Sequence, residues 1–169
     1  VVDELATIAN DTIIGDGLEQ GTKLGPLQNK MQYEKVKELI ESARQDGNIV
    51  AGGEVPDQSG YFIRPTIVRD VTEGSRIVDE EQFGPVLPVI RFTDESDAIA
   101  RANNSDYGLG GSVWSSDLDR AYDVANQMNT GTVWINKHAE LDPGIPFGGS
   151  KQSGLGNELG MEGLKEFTQ

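Results

Sequence analysis

The sequence predicts an α/β layer fold built on mostly parallel strands. From Val86 onward, β-rich and helical stretches alternate as β-α-β-α-β, and the connections between them are short. Strands separated by helices over such spans pair in parallel through crossovers rather than hairpins. At 169 residues with 36% apolar content, the chain is sized for one compact domain with a real core.

Taken in order, the opening Glu4-Leu5-Ala6-Thr7-Ile8-Ala9 reads as helix already in mid-course. Residues 11 to 27 are rich in Gly, Asp and Thr and have loop composition. Asn29 with Gln32 three positions on makes a capping pair, and Val36, Leu39, Ile40 and Ala43 then share one helical face until Asp46-Gly47 ends the helix. Tyr61 to Val68 is β-rich, but Pro65 removes a ladder donor and demotes the stretch to an edge strand or two short pieces. Val86 to Phe92 reads as a strand, followed by a short helix through Ala98, Ile99 and Ala102. Gly111 to Trp114 is the next strand. Ser116 with Asp119 is positioned to cap a helix whose face carries Leu118, Ala121, Tyr122, Ala125 and Met128, and Gly131 to Ile135 returns as strand. Residues 139 to 157 are loop, dense in Gly and Pro, before a last short helix from Glu158 to Lys165.

Composition narrows the chemistry. With 28 acidic and 14 basic residues, the formal charge of −14 repels phosphate backbones and anionic lipid, so neither nucleic acid nor a membrane surface is expected as a partner. No apolar run is long enough to span a bilayer, and the first residues lack the pattern of a secretion signal. A cytoplasmic location is the expectation. The absence of cysteine removes disulfides, thiolate metal sites and thiol nucleophiles together, and one histidine, His138, cannot build a multi-histidine metal cage.

Ligands of open parallel sheets gather beyond the carboxyl ends of strands, which directs attention to the loops after residues 92, 115 and 136. In the last of these, Gly154-x-Gly156-x-x-x-Gly160 has the wrong final spacing for a dinucleotide fingerprint, and Gly149-Ser150-Lys151 lacks the earlier glycine of a phosphate loop. His138, without a nucleophile in the chain, reads as a hydrogen-bonded structural residue rather than a general base. A second stretch, Asp79-Glu80-Glu81-Gln82-Phe83-Gly84-Pro85, supports two readings. It is either a solvated acidic run or a ligand-holding turn. An ionised carboxylate there can accept hydrogen bonds from two neighbouring ribose hydroxyls, and the phenylalanine can offer its face to an aromatic ring such as nicotinamide.

Glu80-Glu81-Gln82-Phe83-Gly84-Pro85-Val86 resembles the glutamate-phenylalanine-glycine-proline motif of aldehyde dehydrogenases, and Pro146-Phe147-Gly148-Gly149-Ser150-Lys151-Gln152-Ser153-Gly154 resembles the motif near that family's carboxy terminus. Supporting matches run nearly end to end: Gly15-Asp16-Gly17 with Gly25-Pro26-Leu27, Gly60-Tyr61-Phe62 with Pro65-Thr66, Asn104 to Leu109, and Gly131 to Asn136. Several motifs in the family's order carry less risk of coincidence than one.

The resemblance implies a three-layer, mostly parallel sheet with helices on both faces, and an NAD(P)-dependent oxidation of an aldehyde to a carboxylic acid by way of a cysteine thiolate. The nucleophile, general-base glutamate and oxyanion asparagine of such enzymes lie upstream of the matched segment. The chain is therefore expected to be a single, truncated catalytic domain over residues 1–169, without the nucleophile segment and the carboxy-terminal oligomerisation strand, and inactive alone. The alternative is a stand-alone module that keeps the fold for binding or assembly. By resemblance, Glu81 holds the nicotinamide ribose of NAD or NADP, Phe83 packs against the nicotinamide end, and Phe147 lines the aldehyde tunnel. Glu158 matches a glutamate with an auxiliary proton-relay role in some relatives, while its place ahead of a helix equally suits a first-turn, dipole-favoured position. The carbonyls of Lys151 and Gly154 correspond to a monovalent-cation site in some relatives, but no metal is assigned here. The full-length parent is expected to be a homodimer or homotetramer.

Overall fold

A computed structural model describes residues 1–168. The chain divides into two compact units, Val1–Arg91 and the residues from Phe92 onward.

The first unit contains α1 (Val2–Asp11), α2 (Lys30–Asp46), β1 (Asn48–Ala51), β2 (Thr66–Arg69), the single turn α3 (Arg76–Asp79) and β3 (Val86–Val89). The capping expectation at Asn29 holds: its Oδ1 accepts from the Gln32 N–H at 2.8 Å. Gly47 ends the helix by donating its N–H to the Ala43 carbonyl at 2.9 Å, and a Cβ at this position would lie 2.3 Å from Val71 Cγ1. The four residues expected on the buried face of α2 are all buried.

The sheet order is β1-β2-β3, with β1 antiparallel and β3 parallel to β2. Successive residues of a strand face opposite ways, and β2 uses both sides. Val68 joins Val36, Leu39, Ile40, Ala43, Ile77 and Val86 in the α2 core. Ile67 joins Ala9 of α1 and Ala51 in a second cluster, with Leu5 and Val89 packed against it. Helices therefore cover both faces of this sheet. Full burial of a side chain such as Leu39 or Ile77 is worth about 1.5–3 kcal/mol. Thr66, the buried polar residue of β2, is satisfied on both counts: its hydroxyl accepts from the Gly53 N–H and donates to the Arg64 carbonyl, each at 2.8 Å.

Here the structure corrects the reading of Tyr61–Val68. β2 is the central strand, not an edge, because Pro65 stands one residue ahead of the ladder and costs it no donor. The proline that does occupy a strand is Pro88, on the edge strand β3 opposite Val68. In the same way, β3 takes β2 as its parallel partner, whereas β5 pairs with β6, so the expected β-α-β-α-β run is shared between two sheets.

The second unit contains α4 (Glu95–Asn103), β4 (Tyr107–Gly108), β5 (Gly110–Val113), α5 (Leu118–Ala125), β6 (Thr132–Ile135), β7 (Phe147–Gly148), β8 (Ser150–Lys151), β9 (Asn157–Glu158) and α6 (Gly160–Lys165). β5-α5-β6 is the expected parallel crossover. Its helix is capped one residue later than expected, by Asp117 accepting from the Arg120 N–H at 3.0 Å. Of its apolar stripe only Ala121 is buried; Leu118 and Tyr122 are exposed, because no described residue covers the margins of that face. The Gly-rich stretch expected as loop supplies β7, β8 and the start of β9, which form the antiparallel pairs β4–β8 and β7–β9. Among the described residues no helix is long and apolar enough to cross a membrane.

Candidate functional site

Asp79, Glu80 and Glu81 are consecutive in sequence but differ in what they bind. The Asp79 carboxylate ends the preceding turn by accepting from the Gly74 N–H at 2.9 Å. Glu80 pairs with Arg76 one helical turn back, at 2.6 Å. The hydrogen bond from that guanidinium holds the Glu80 carboxyl below its ordinary value, and the same bond raises Arg76. No described residue donates to the Glu81 carboxylate, which is exposed. The acidic run is thus two carboxylates with intramolecular partners followed by one without a partner among the described residues.

The backbone beside Glu81 is fixed by α2. Lys35 Nζ donates to the Glu81 carbonyl at 2.8 Å, and Gln32 Nε2 donates to the Gln82 carbonyl. The Gln82 side chain in turn donates to the Ile77 carbonyl at 2.5 Å. Gly84 lets the loop lie against the helix: a Cβ there would stand 2.6 Å from Val36 Cγ2. Between these anchors Phe83 takes a left-handed backbone conformation, φ 45°, and leaves its ring 68% exposed. A bulky residue in that region is costly unless its surroundings impose it. An exposed apolar ring on a pinned, strained loop is the form of a preformed contact surface rather than of a core residue.

The second unit places the other two expected site residues together. Phe147 and Glu158 are register partners in the antiparallel pair β7–β9. The backbone around Phe147 is held on both sides by close approaches that only glycine allows. A Cβ on Gly131 would fall 1.7 Å from the Gly148 carbonyl oxygen, and one on Gly160 would fall 2.8 Å from Pro146 Cδ. The half-buried Phe147 ring lies 6.4 Å, centroid to centroid, from Trp134. Glu158 is exposed and belongs to β9, not to a helix. This overturns the first-turn reading: α6 begins at Gly160, and its N-cap Leu159 makes no side-chain capping bond. The left-handed turn at Leu159, φ 62°, breaks the chain between strand and helix.

His138 is exposed and meets Trp134 edge-on at 5.5 Å; the expected hydrogen bond of its side chain is not formed among the described residues. Among the described residues no cluster of three His, Cys, Asp or Glu side chains is arranged to hold a metal ion. Sequence reasoning missed Gln32 and Lys35. Gln32 was read only as the partner of the Asn29 cap and Lys35 only as part of the helix, since the loop carbonyls they hold lie 50 and 46 residues away.

The aldehyde dehydrogenase family model matches residues 1–169. A betaine aldehyde dehydrogenase from Rhizobium leguminosarum is 44% identical over 161 residues, 93% of this chain and 33% of its own length. A succinate-semialdehyde dehydrogenase [NADP(+)] from Deinococcus radiodurans is 46% identical over 155 residues, 91% of this chain and 32% of its own. The NAD+ complex of an aldehyde dehydrogenase from Bacillus cereus superposes with a TM-score of 0.95 at 44% identity, covering 99% of this chain and 34% of that one. The chain spans about a third of the length of these relatives. With that match along its whole length, ordered motifs and a shared α/β fold, the chain belongs to the aldehyde dehydrogenase family.

Proposed function

We propose that these residues form part of an enzyme that oxidises an aldehyde to a carboxylic acid with NAD+ or NADP+, and that their share of the work is to hold the cofactor and shape the aldehyde's path. The observation that carries this reading is the pinned Glu80–Pro85 loop, in which the Glu81 carboxylate has no described partner and the Phe83 ring is exposed. These residues fit the cofactor: a free carboxylate suits a ribose diol, and an exposed ring suits a flat heterocycle. Bound there, the nicotinamide supplies the hydride acceptor. Glu81 sets its position and Phe83 limits its tilt, while Phe147 excludes water from the aldehyde path and Glu158 serves as an auxiliary proton carrier. The reaction also needs a thiolate, which these 169 residues lack. The chain alone is therefore inactive in this reading, and the complete enzyme works as a homodimer or homotetramer.

Positioning predicts a specific kinetic signature. In the full-length enzyme, Glu81→Gln should slow single-turnover hydride transfer by roughly 10- to 100-fold, the scale on which small misplacements act, and leave thiolate acylation by an activated ester unchanged. Equal hydride-transfer rates in the two proteins would overturn the role of Glu81. Aldehyde oxidation by the pure 169-residue chain would overturn the need for an external thiolate.

A further inference from the structure

The indole of Trp134 is fixed more completely than its half-buried position on β6 requires. Its Nε1–H donates to the Glu140 carbonyl at 2.7 Å, which folds residues 136–140 back over the strand end. Its six-membered ring lies across Gly110 on the neighbouring strand β5: a Cβ at Gly110 would stand 2.7 Å from Cζ3 and 3.1 Å from Cη2. Asn136, in a left-handed conformation at φ 53°, clasps Ser115 in both directions, accepting from its N–H at 2.9 Å and donating to its carbonyl at 2.8 Å. The turn that carries Glu140 is thereby tied to the end of β5. One side of the indole meets His138, and Phe147 faces it with the two planes 37° apart.

We propose that Trp134 is a positioning residue for Phe147 and, through that ring, a determinant of which aldehydes are accepted. The inference rests on Phe147 lining the aldehyde path. Phe147 sits in a two-residue strand whose backbone is clamped by Gly131 and Gly160, so its main chain has little freedom. What remains adjustable is the tilt of the ring, and the tilted indole contact governs it. A hydrogen-bonded, glycine-seated indole is a stiff backstop, since aromatic pairs at this separation are favoured beyond their buried area. Loosening the backstop lets the Phe147 ring yield to longer substrates and hold short ones less well.

The test compares propanal with hexanal, which differ only in chain length, in the full-length enzyme and its F147A, W134F and G110A variants. The quantity read is the ratio of kcat/KM for hexanal to that for propanal. This ratio is insensitive to the fraction of folded enzyme, so a purely structural lesion does not move it. F147A should raise it about tenfold, in the range that a few methylene-sized changes produce. W134F removes the Nε1 hydrogen bond and should raise it at least about threefold, through the KM for propanal more than through kcat and without change in the cofactor KM. If W134F does not fold, G110A, which displaces the indole while leaving Trp134 and Phe147 themselves unmutated, decides in its place by shifting the ratio by a similar factor. A ratio moved by F147A but left within about twofold of wild type by the deciding variant overturns the role of Trp134 and leaves Phe147 on the path. A ratio unmoved by F147A removes Phe147 from the path, and the inference falls with it.

Discussion

Phe147 and Glu158 stand directly opposite one another in the antiparallel register of β7 and β9, so ring and carboxylate rise from the same face of a short ribbon. The carboxylate is exposed, and no described residue donates to it. In the proposed function this carboxylate is the auxiliary proton carrier beside the apolar ring of Phe147. Glu158→Gln keeps the shape and removes that capacity. In the full-length enzyme it should leave hydride transfer unchanged and slow acyl release by about tenfold, below the 10²–10⁴ typical of a direct general base. A steady-state pH profile identical to wild type would remove Glu158 from the proton path.

Lys35 acts on Glu81 through the main chain, since its ammonium meets the carbonyl of that residue. Lys35→Met keeps an unbranched side chain one atom shorter and removes the donor. The loop then loses one anchor and keeps the other, from Gln32. A lost hydrogen bond of about 1 kcal/mol corresponds to roughly fivefold in affinity. The cofactor KM should rise by about that factor while the aldehyde KM stays fixed. The melting temperature should hardly move, because the bond is exposed. A large fall in stability with no change in cofactor KM would make Lys35 a fold residue only.

What the sequence disclosed depended on how far apart the interacting residues lie. The helix over Lys30–Asp46 was legible because its cap, apolar face and stop are all local. The motif at Glu81 and Phe83 was legible as a stretch of letters. The reason Glu81 differs from Asp79 and Glu80 was not, because it lies in the partners: Gly74, Arg76 and α2. β1 left no local sign, since four residues without an alternating pattern become a strand only by pairing with β2. Glu158 was read as helical because the residues after it are. The left-handed backbone of Leu159, which ends the strand, has no side-chain signature of the kind glycine or asparagine gives.

Two glycines that look equivalent in sequence should differ sharply in what they tolerate. Gly131 has no room for a methyl group, because a Cβ would fall 1.7 Å from the Gly148 carbonyl oxygen, whereas nothing lies within 4 Å of a Cβ on Gly17. Relieving a clash with backbone requires moving backbone, so Gly131→Ala should cost at least about 2–3 kcal/mol, the upper range for overpacking. Gly17→Ala should be within about 0.5 kcal/mol of wild type, as for most surface changes. Denaturant unfolding of the two variants measures both. Comparable stability of the two would show that the backbone at Gly131 and Gly148 can separate enough to admit a methyl group.

The cap of α4 should report pH. Asp94 accepts hydrogen bonds from the Ser96 hydroxyl and from the Asp97 N–H, the latter at 3.0 Å, and these hold its carboxyl below the ordinary value, the hydroxyl contributing most. A carboxyl depressed in the folded state stabilises that state when ionised. Its contribution is complete above the unfolded value, about 3.9 for aspartate, and is lost as pH falls through the lower, folded value. Protection of the Asp97 and Ala98 amides against hydrogen exchange should therefore be greater in wild type than in Asp94→Ala at pH 6, with the gap narrowing as the pH is taken below about 4. Asn caps a helix about as well as Asp without ionising, so Asp94→Asn should keep the protection and lose its pH dependence. If the gap between wild type and Asp94→Ala stayed constant down to pH 2, the cap would owe nothing to the charge, and the bonds from Ser96 and Asp97 would act through the neutral carboxyl alone.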